Sequence, residues 1–391
     1  MYQIQTFNKI ASKGLDRFPR EKYEVASEFS NPDAIVVRSA SLHDKEFGGN
    51  LKAIARAGAG VNNVPVDTCS DRGIIVFNTP GANANGVKEL VLAGMFLAAR
   101  NIYPAMRWLD AVKDKGDEVP KLIESEKSKF KGSELRGKTL GIIGLGAVGA
   151  RVANEAVALG MEVIGCDPFI SVDSAWSLSR AVKKGASVDA LVGACDYLSI
   201  HVPLTDETRG MLNRDKFALM KKGIKIINFA RGGLVNNSDL KTALKEGTVT
   251  AYVTDFPDAE LLSMDGVIGI PHLGASTMEA EENCAVMAVD QLRAFLETGN
   301  ITNSVNFPTC EMEMTGDTRI VIANRNIPNM VGQITTILAE EKMNISDMLN
   351  RHKDDYAYTI IDVEGTVGDA LLEELEAIDG VIMVRIISQE S

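Results

Sequence analysis

Short apolar runs recur along the first hundred residues, each bounded by polar or glycine-containing stretches. Ala34 to Arg38, Leu51 to Arg56 and Ile74 to Phe77 are such runs, the last two closed by Gly58-Ala-Gly60 and by Asn78-Thr-Pro-Gly81. Runs this short, without alternation, predict strands covered on both faces, and the spacers between them have helical length. Val87 to Asp110 predicts one long helix. A second series follows: Lys138 to Ile143, Met161 to Cys166, Tyr197 to His201, Ile224 to Asn228 and Val267 to Ile270 predict strands, and Ala150 to Leu159 a helix. Strands alternating with helices predict doubly wound α/β sheets. Gly116 to Gly137 is polar and reads as a solvated loop or helix face.

Near 304–318 the pattern lapses into a polar stretch containing proline. Beyond it the order changes. Strands at Arg319 to Ala323, just after Asn344, at Tyr356 to Val363 and at Val381 to Ile387 enclose helices at Met330 to Glu341 and Asp369 to Ile378. This is βαββαβ, a small ferredoxin-like module.

Composition narrows the function classes. The chain has 391 residues, 45% hydrophobic and 24% charged, as in ordinary soluble domains. Its net charge of −12 argues against a dedicated nucleic-acid or anionic-membrane surface. The longest apolar runs are ten or eleven residues, half of what a membrane span needs. The first residues lack the apolar core of a secretion signal. Five cysteines, widely spaced and without a CxxC pair, read as reduced thiols of a cytoplasmic protein, not as a metal site. Only four histidines are available for acid–base work.

The strongest chemical signal is the unit strand, Gly144-Leu-Gly146-Ala-Val-Gly149, helix, strand, Asp167. A lone GxGxxG is weak, but this context is what a dinucleotide site requires. Gly144 permits the turn, Gly146 lets backbone amides approach a pyrophosphate, and Gly149 lets helix pack on strand. Asp167 can accept hydrogen bonds from both ribose hydroxyls and would repel a 2′-phosphate, which favours NAD over NADP. Arg231, the acids of Thr254 to Glu260, and His272 each follow a strand, at the edge where such sheets bind ligands.

These motifs together resemble the D-isomer-specific 2-hydroxyacid dehydrogenases: GLGAVG with Asp167, HVPLTDETRGMLN at 201–213, INFARGG at 227–233, PHLGAST at 271–277 and RAGAGVNNVPVD at 56–67. The tail matches the branch that oxidises D-3-phosphoglycerate. The resemblance implies a flavodoxin-like substrate domain of 1–98 and 283–314. It implies an inserted Rossmann-type NAD domain of 99–282 and a regulatory ACT domain of 315–391. It makes His272 the general acid–base, Glu260 its orienting partner and Arg231 the clamp on the substrate carboxylate. Asp258 is the alternative partner, because the local sequence Asp-Phe-Pro-Asp-Ala-Glu departs from the family's spacing of aromatic and acid. Contacts to NAD fall to Gly144, Gly146, Ala147, Val148, Gly149, Asp167, His201, Val202, Pro203, Ala230, Asp255, His272 and Gly274. Arg38, Ser39, Arg56, Gly58 and Lys127, with Arg231, would hold a phosphorylated acid. Asn324, Asn326 and Asn344 match the positions that bind serine in inhibited relatives, with Asn324 in place of a histidine. A homodimer or homotetramer is implied. The rival readings are a dehydrogenase of glycerate or another D-2-hydroxy acid, and an NAD-sensing corepressor on the same scaffold.

Overall fold

The computed structural model describes residues 1–388, so residues 389–391, the end of the expected regulatory module, lie outside it. The chain forms two compact units. One comprises Met1–Asn83 and the segment from Glu281 onward; the other is Ala84–Ala280.

The first unit holds five parallel strands: β1 (Tyr2–Phe7), β2 (Tyr23–Ala26), β3 (Ala34–Val37), β4 (Ala53–Arg56) and β5 (Ile75–Phe77). Their order is β2-β1-β3-β4-β5, the flavodoxin-like arrangement. Strand β3 is buried at all four positions, as its unbroken apolar run predicts. The helix Met278–Thr298 packs Ala288, Leu292 and Phe295 against Ile4, Ala34 and Phe77.

The second unit is a seven-stranded parallel sheet of β6 (Thr139–Ile143), β7 (Glu162–Cys166), β8 (Lys183–Lys184), β9 (Tyr197–Ile200), β10 (Ile224–Asn228), β11 (Val249–Thr254) and β12 (Val267–Gly269). The order β12-β11-β10-β9-β6-β7-β8 is the Rossmann order with one strand added.

The tail is an antiparallel sheet of β13 (Thr318–Arg325), β14 (Ile345–Lys353), β15 (Tyr356–Val363) and β16 (Val381–Ser388), in the order β14-β15-β13-β16. Helices Met330–Glu340 and Asp369–Glu376 complete the ferredoxin-like βαββαβ.

Three features differ from the sequence expectations. The helix Ala84–Arg100 packs Val91, Met95 and Ala98 into the core of the second unit, so that unit begins at 84 instead of 99. The long helix expected to reach Asp110 stops there. Asn101 adopts φ +50, and a separate helix, Ile102–Val112, begins with no buried residue. The C-terminal module shares a compact unit with the five-stranded sheet. Arg319 and Asp362 form a fully buried ion pair at 2.6 Å, and Arg319 also donates to the carbonyls of Thr298 and Met312. The Tyr358 hydroxyl donates to Gly299 O. These bonds stitch the module to the helix end and linker that precede it.

Candidate active site

Each glycine of the motif answers to a different constraint. Gly144 has φ +89, and a Cβ there would lie 2.6 Å from His201 O. Gly149 sits inside the helix Ala147–Ala158, where a Cβ would lie 2.0 Å from Gly144 O. Both are therefore required by the protein's own packing. Gly146 is different: it caps the helix, has no capping side chain, and a Cβ there would meet nothing within 4 Å. Its freedom from side-chain bulk serves a ligand approaching the helix amides. Ala147 and Val148 form the first turn of that helix.

Asp167 follows β7. One carboxylate oxygen accepts the Leu145 amide at 2.8 Å and the other the Phe169 amide at 2.8 Å. The carboxylate is thus tied to the glycine loop. His201 extends β9 against β6 through its amide and Ile143 O, and its Nε2 lies 2.8 Å from the Ser199 hydroxyl. Burial pulls its imidazole down to about 4, so it is neutral at pH 7. Val202 and the exposed Pro203 continue from it.

Arg231, Asp255 and His272 follow β10, β11 and β12, at the carboxyl edge of the sheet. Arg231 is exposed and donates to its neighbour Ala230 O at 2.7 Å. Its loop is stapled by Asn228, which is fully buried. The Asn228 amide oxygen accepts Ala230 N–H at 3.1 Å, and its amide nitrogen donates to Arg231 O at 2.9 Å and to Tyr252 OH at 3.1 Å. His272 is exposed, its amide donates to Asp255 O at 2.9 Å, and its ring lies 4.5 Å from the Phe256 ring. Asp255 is buried. Burial pushes its carboxyl up, against the pull of the Gly274 amide, His272 and Arg231. Its Oδ2 accepts Gly274 N–H at 3.0 Å, while its Oδ1 is buried with no partner.

The expected carboxylate–imidazole pair is not formed. Glu260 accepts from Asn237 at 3.3 Å, and Asp258 accepts from the same amide at 2.9 Å while capping the helix Ala259–Leu262 through Leu261 N–H. Among the described residues neither carboxylate bonds to His272. Asp258 is engaged as a cap, Glu260 faces Asn237, and the Phe256 ring lies tilted at 46° beside the imidazole. Asn228, Asn237, Phe256 and Ser199 are the functional neighbours that sequence reasoning missed. An asparagine ending a buried strand beside the arginine is the signal that could have found Asn228.

In the first unit, Arg38, Ser39, Arg56 and Gly58 come together. Arg56 Nε donates to Arg38 O at 3.0 Å, the Arg56 guanidinium lies over Gly58, and Ser39 N–H donates to Asn8 Oδ1 at 2.9 Å. Arg38 is paired with Glu281 at 2.9 Å. Lys127 belongs to the second unit, is exposed, and pairs with Glu124. In the C-terminal module Asn324 is buried, with its amide donating to Arg325 O and its Oδ1 unpartnered. Asn326 donates to Asp354 O. Asn344 precedes β14, whose start pairs with Val363, whereas Asn324 pairs with Ala357. Six residues at about 3.3 Å each separate these positions along β15, about 20 Å. The three asparagines therefore do not form one site within a chain.

The residues present fit NAD. A buried carboxylate oxygen without a donor is suited to the carboxamide N–H of a nicotinamide. The open face at Gly146 suits a pyrophosphate, and the tethered Asp167 a ribose.

Comparison with known proteins agrees. Residues 92–274 match the family model described as D-isomer specific 2-hydroxyacid dehydrogenase, NAD binding domain. The chain is 36% identical over 337 residues to the D-3-phosphoglycerate dehydrogenase of Methanocaldococcus jannaschii, covering 84% of this chain but 61% of that one. It is 33% identical to the D-3-phosphoglycerate dehydrogenase of Haemophilus influenzae over 88% of this chain and 82% of the relative. It is 38% identical to the hydroxypyruvate reductase of Thermotoga maritima over 71% of this chain and 89% of the relative. The NAD+-bound 3-phosphoglycerate dehydrogenase of Entamoeba histolytica superposes with a TM-score of 0.61 and 26% identity, covering 78% of this chain and 98% of that one. With its glycine turn, tethered aspartate and strand-end Arg231 and His272, this chain belongs to the family of D-isomer-specific 2-hydroxyacid dehydrogenases.

Proposed function

We propose that this protein oxidises D-3-phosphoglycerate to 3-phosphohydroxypyruvate with NAD, the first step of L-serine biosynthesis. The observation that carries the chemistry is the placement of Arg231, Asp255 and His272 on three adjoining strand ends. Bound NAD supplies the acceptor for the hydride that leaves C2. His272 takes the hydroxyl proton as the C2–O bond becomes a carbonyl. Arg231 holds the substrate carboxylate through its planar fork and steadies the charge on the 2-oxygen. Asn228 fixes the loop from which Arg231 reaches. Asp255 orients the nicotinamide through its carboxamide. Glu260 is assigned as the orienter of His272, which requires it to exchange Asn237 for the imidazole. The phosphate is assigned to Arg38 and Arg56, with Ser39 and Gly58 beside them and Lys127 as an additional cation.

A second reading is a dehydrogenase of an unphosphorylated acid such as glycerate. It is favoured by the Arg38–Glu281 ion pair, which already neutralises one of the two arginines. A nicotinamide absorbance assay separates the two. Preference for 3-phosphoglycerate over glycerate and lactate supports the first; equal or better turnover of the unphosphorylated acids supports the second. On this reading the enzyme is cytoplasmic and its five cysteines are thiols. Ile102, Tyr103, Met106 and Leu109, exposed on the helix Ile102–Val112, fit a homodimer contact. L-serine is proposed as an effector of the C-terminal module, a regulatory ACT domain. Because Asn344 lies apart from Asn324 and Asn326, the serine site needs two copies of the chain. Loss of activity at millimolar serine supports this, and no effect contradicts it.

A further inference from the structure

The amino ends of β6, β9 and β10 lie side by side at the edge of the seven-stranded sheet opposite the glycine loop. Strands of four or five residues, at about 3.3 Å each, put roughly 15 Å between the two edges. At this edge lies a recess of about 250 Å³ lined by Lys138, Lys221, Lys222 and Lys225, with Asp196 and the Tyr197 ring. Four lysines and one carboxylate thus line the recess, in a chain whose net charge is −12.

That carboxylate is already engaged. One Asp196 oxygen accepts Thr139 N–H at 2.9 Å and the other faces Lys221 Nζ at 3.4 Å. Lys225 is half-buried, and its Nζ lies 5.2 Å from the centre of the Tyr197 ring. Among the described residues no carboxylate is within ion-pair distance of it. Burial and the charge of Lys138 lower its proton affinity, against the pull of Asp196. Concentrated, underneutralised positive charge in a concave site is the arrangement that recognises a compact dianion.

We infer that this recess is a second anion site, distinct from the nucleotide and substrate sites, which takes a phosphate group. The phosphate is either the free ion or the end of a small phosphate ester. The inference stands independently of the proposed activity.

The test is site-resolved acylation of the full chain with an N-hydroxysuccinimidyl acetate, read by mass spectrometry. The reaction is run in inorganic phosphate, in glycerol 1-phosphate, and in sodium chloride at matched ionic strength. Phosphate in the recess should slow acylation of Lys225 by at least about threefold, since the anion restores its proton affinity, and leave Lys115, which does not line the recess, unchanged. The protection should persist in R38A/R56A and disappear in K138M/K221M. Protection by both probes assigns the free ion as sufficient; protection by the ester alone assigns an ester ligand. Equal Lys225 rates in both phosphates and in chloride, or protection that survives K138M/K221M, would overturn the inference.

Discussion

Asp255 uses only half of its acceptor capacity within the chain. Gly274 N–H satisfies Oδ2, and Oδ1 is buried without a donor. A donor from bound NAD would relieve that oxygen. Asp255→Asn should therefore weaken NAD binding by about tenfold, or about 1.4 kcal/mol, while the fold persists; fluorescence titration of the nucleotide measures it. His201 makes a prediction of the opposite kind, about the protein without ligand. Its folded-state value of about 4 lies below the unfolded value of 6.5, so the unfolded chain binds more protons between them. Stability from this residue is complete above pH 6.5 and is lost as pH falls toward 4. Urea unfolding should show about 2 kcal/mol of loss between pH 7 and 5 that His201→Asn removes. A loss of the same size in the variant would show that other groups are responsible. At this scale much was legible: Arg231, Asp255 and His272 stand at strand ends as their motifs imply. The absence of the expected Glu260–His272 bond was not, because the Asp258 cap and the Asn237 amide depend on side-chain direction, which spacing alone does not carry.

At the scale of elements, the helix after the glycine turn separates structural from ligand-imposed glycines. Gly149→Ala drives a methyl to 2.0 Å from Gly144 O and should cost about 2–4 kcal/mol in chemical denaturation. Gly146→Ala meets open space, so stability should change by less than about 1 kcal/mol while NAD affinity falls. A large stability loss at 146, or none at 149, would contradict this division. Continuous apolar runs marked strands such as β3, buried at all four positions, and β10, buried at all but Lys225. Strand β1 escaped because only Ile4 of its six residues is fully buried and the polar residues between break the run. Strand β8 has two residues, too short to leave any pattern. The break at Asn101 was invisible because asparagine is acceptable in a helix interior as well as in the left-handed conformation that ends one.

For the whole molecule, the alternation of strand and helix runs indicated α/β architecture, and the two parallel sheets follow it. The boundary at 83/84 was not legible. Apolar residues of Ala84–Arg100 could serve either unit, and only packing against the helix Ala147–Ala158, β10 and β11 decides. Nor was the attachment of the C-terminal module, which rests on the buried Arg319–Asp362 pair. Asp362→Asn leaves Arg319 uncompensated and should cost about 3 kcal/mol or more, lowering the thermal midpoint in calorimetry, whereas an apolar replacement of both residues should cost less. The central claim concerns chemistry, and one measurement reaches it most directly: turnover of D-3-phosphoglycerate with NAD, followed at the reduced nicotinamide's absorbance, for the native chain and His272→Ala. The native chain should reduce NAD with this substrate, and the variant should lose at least about a hundredfold in kcat while its fold persists. Near-native turnover by the variant, or none by the native chain, would contradict the account.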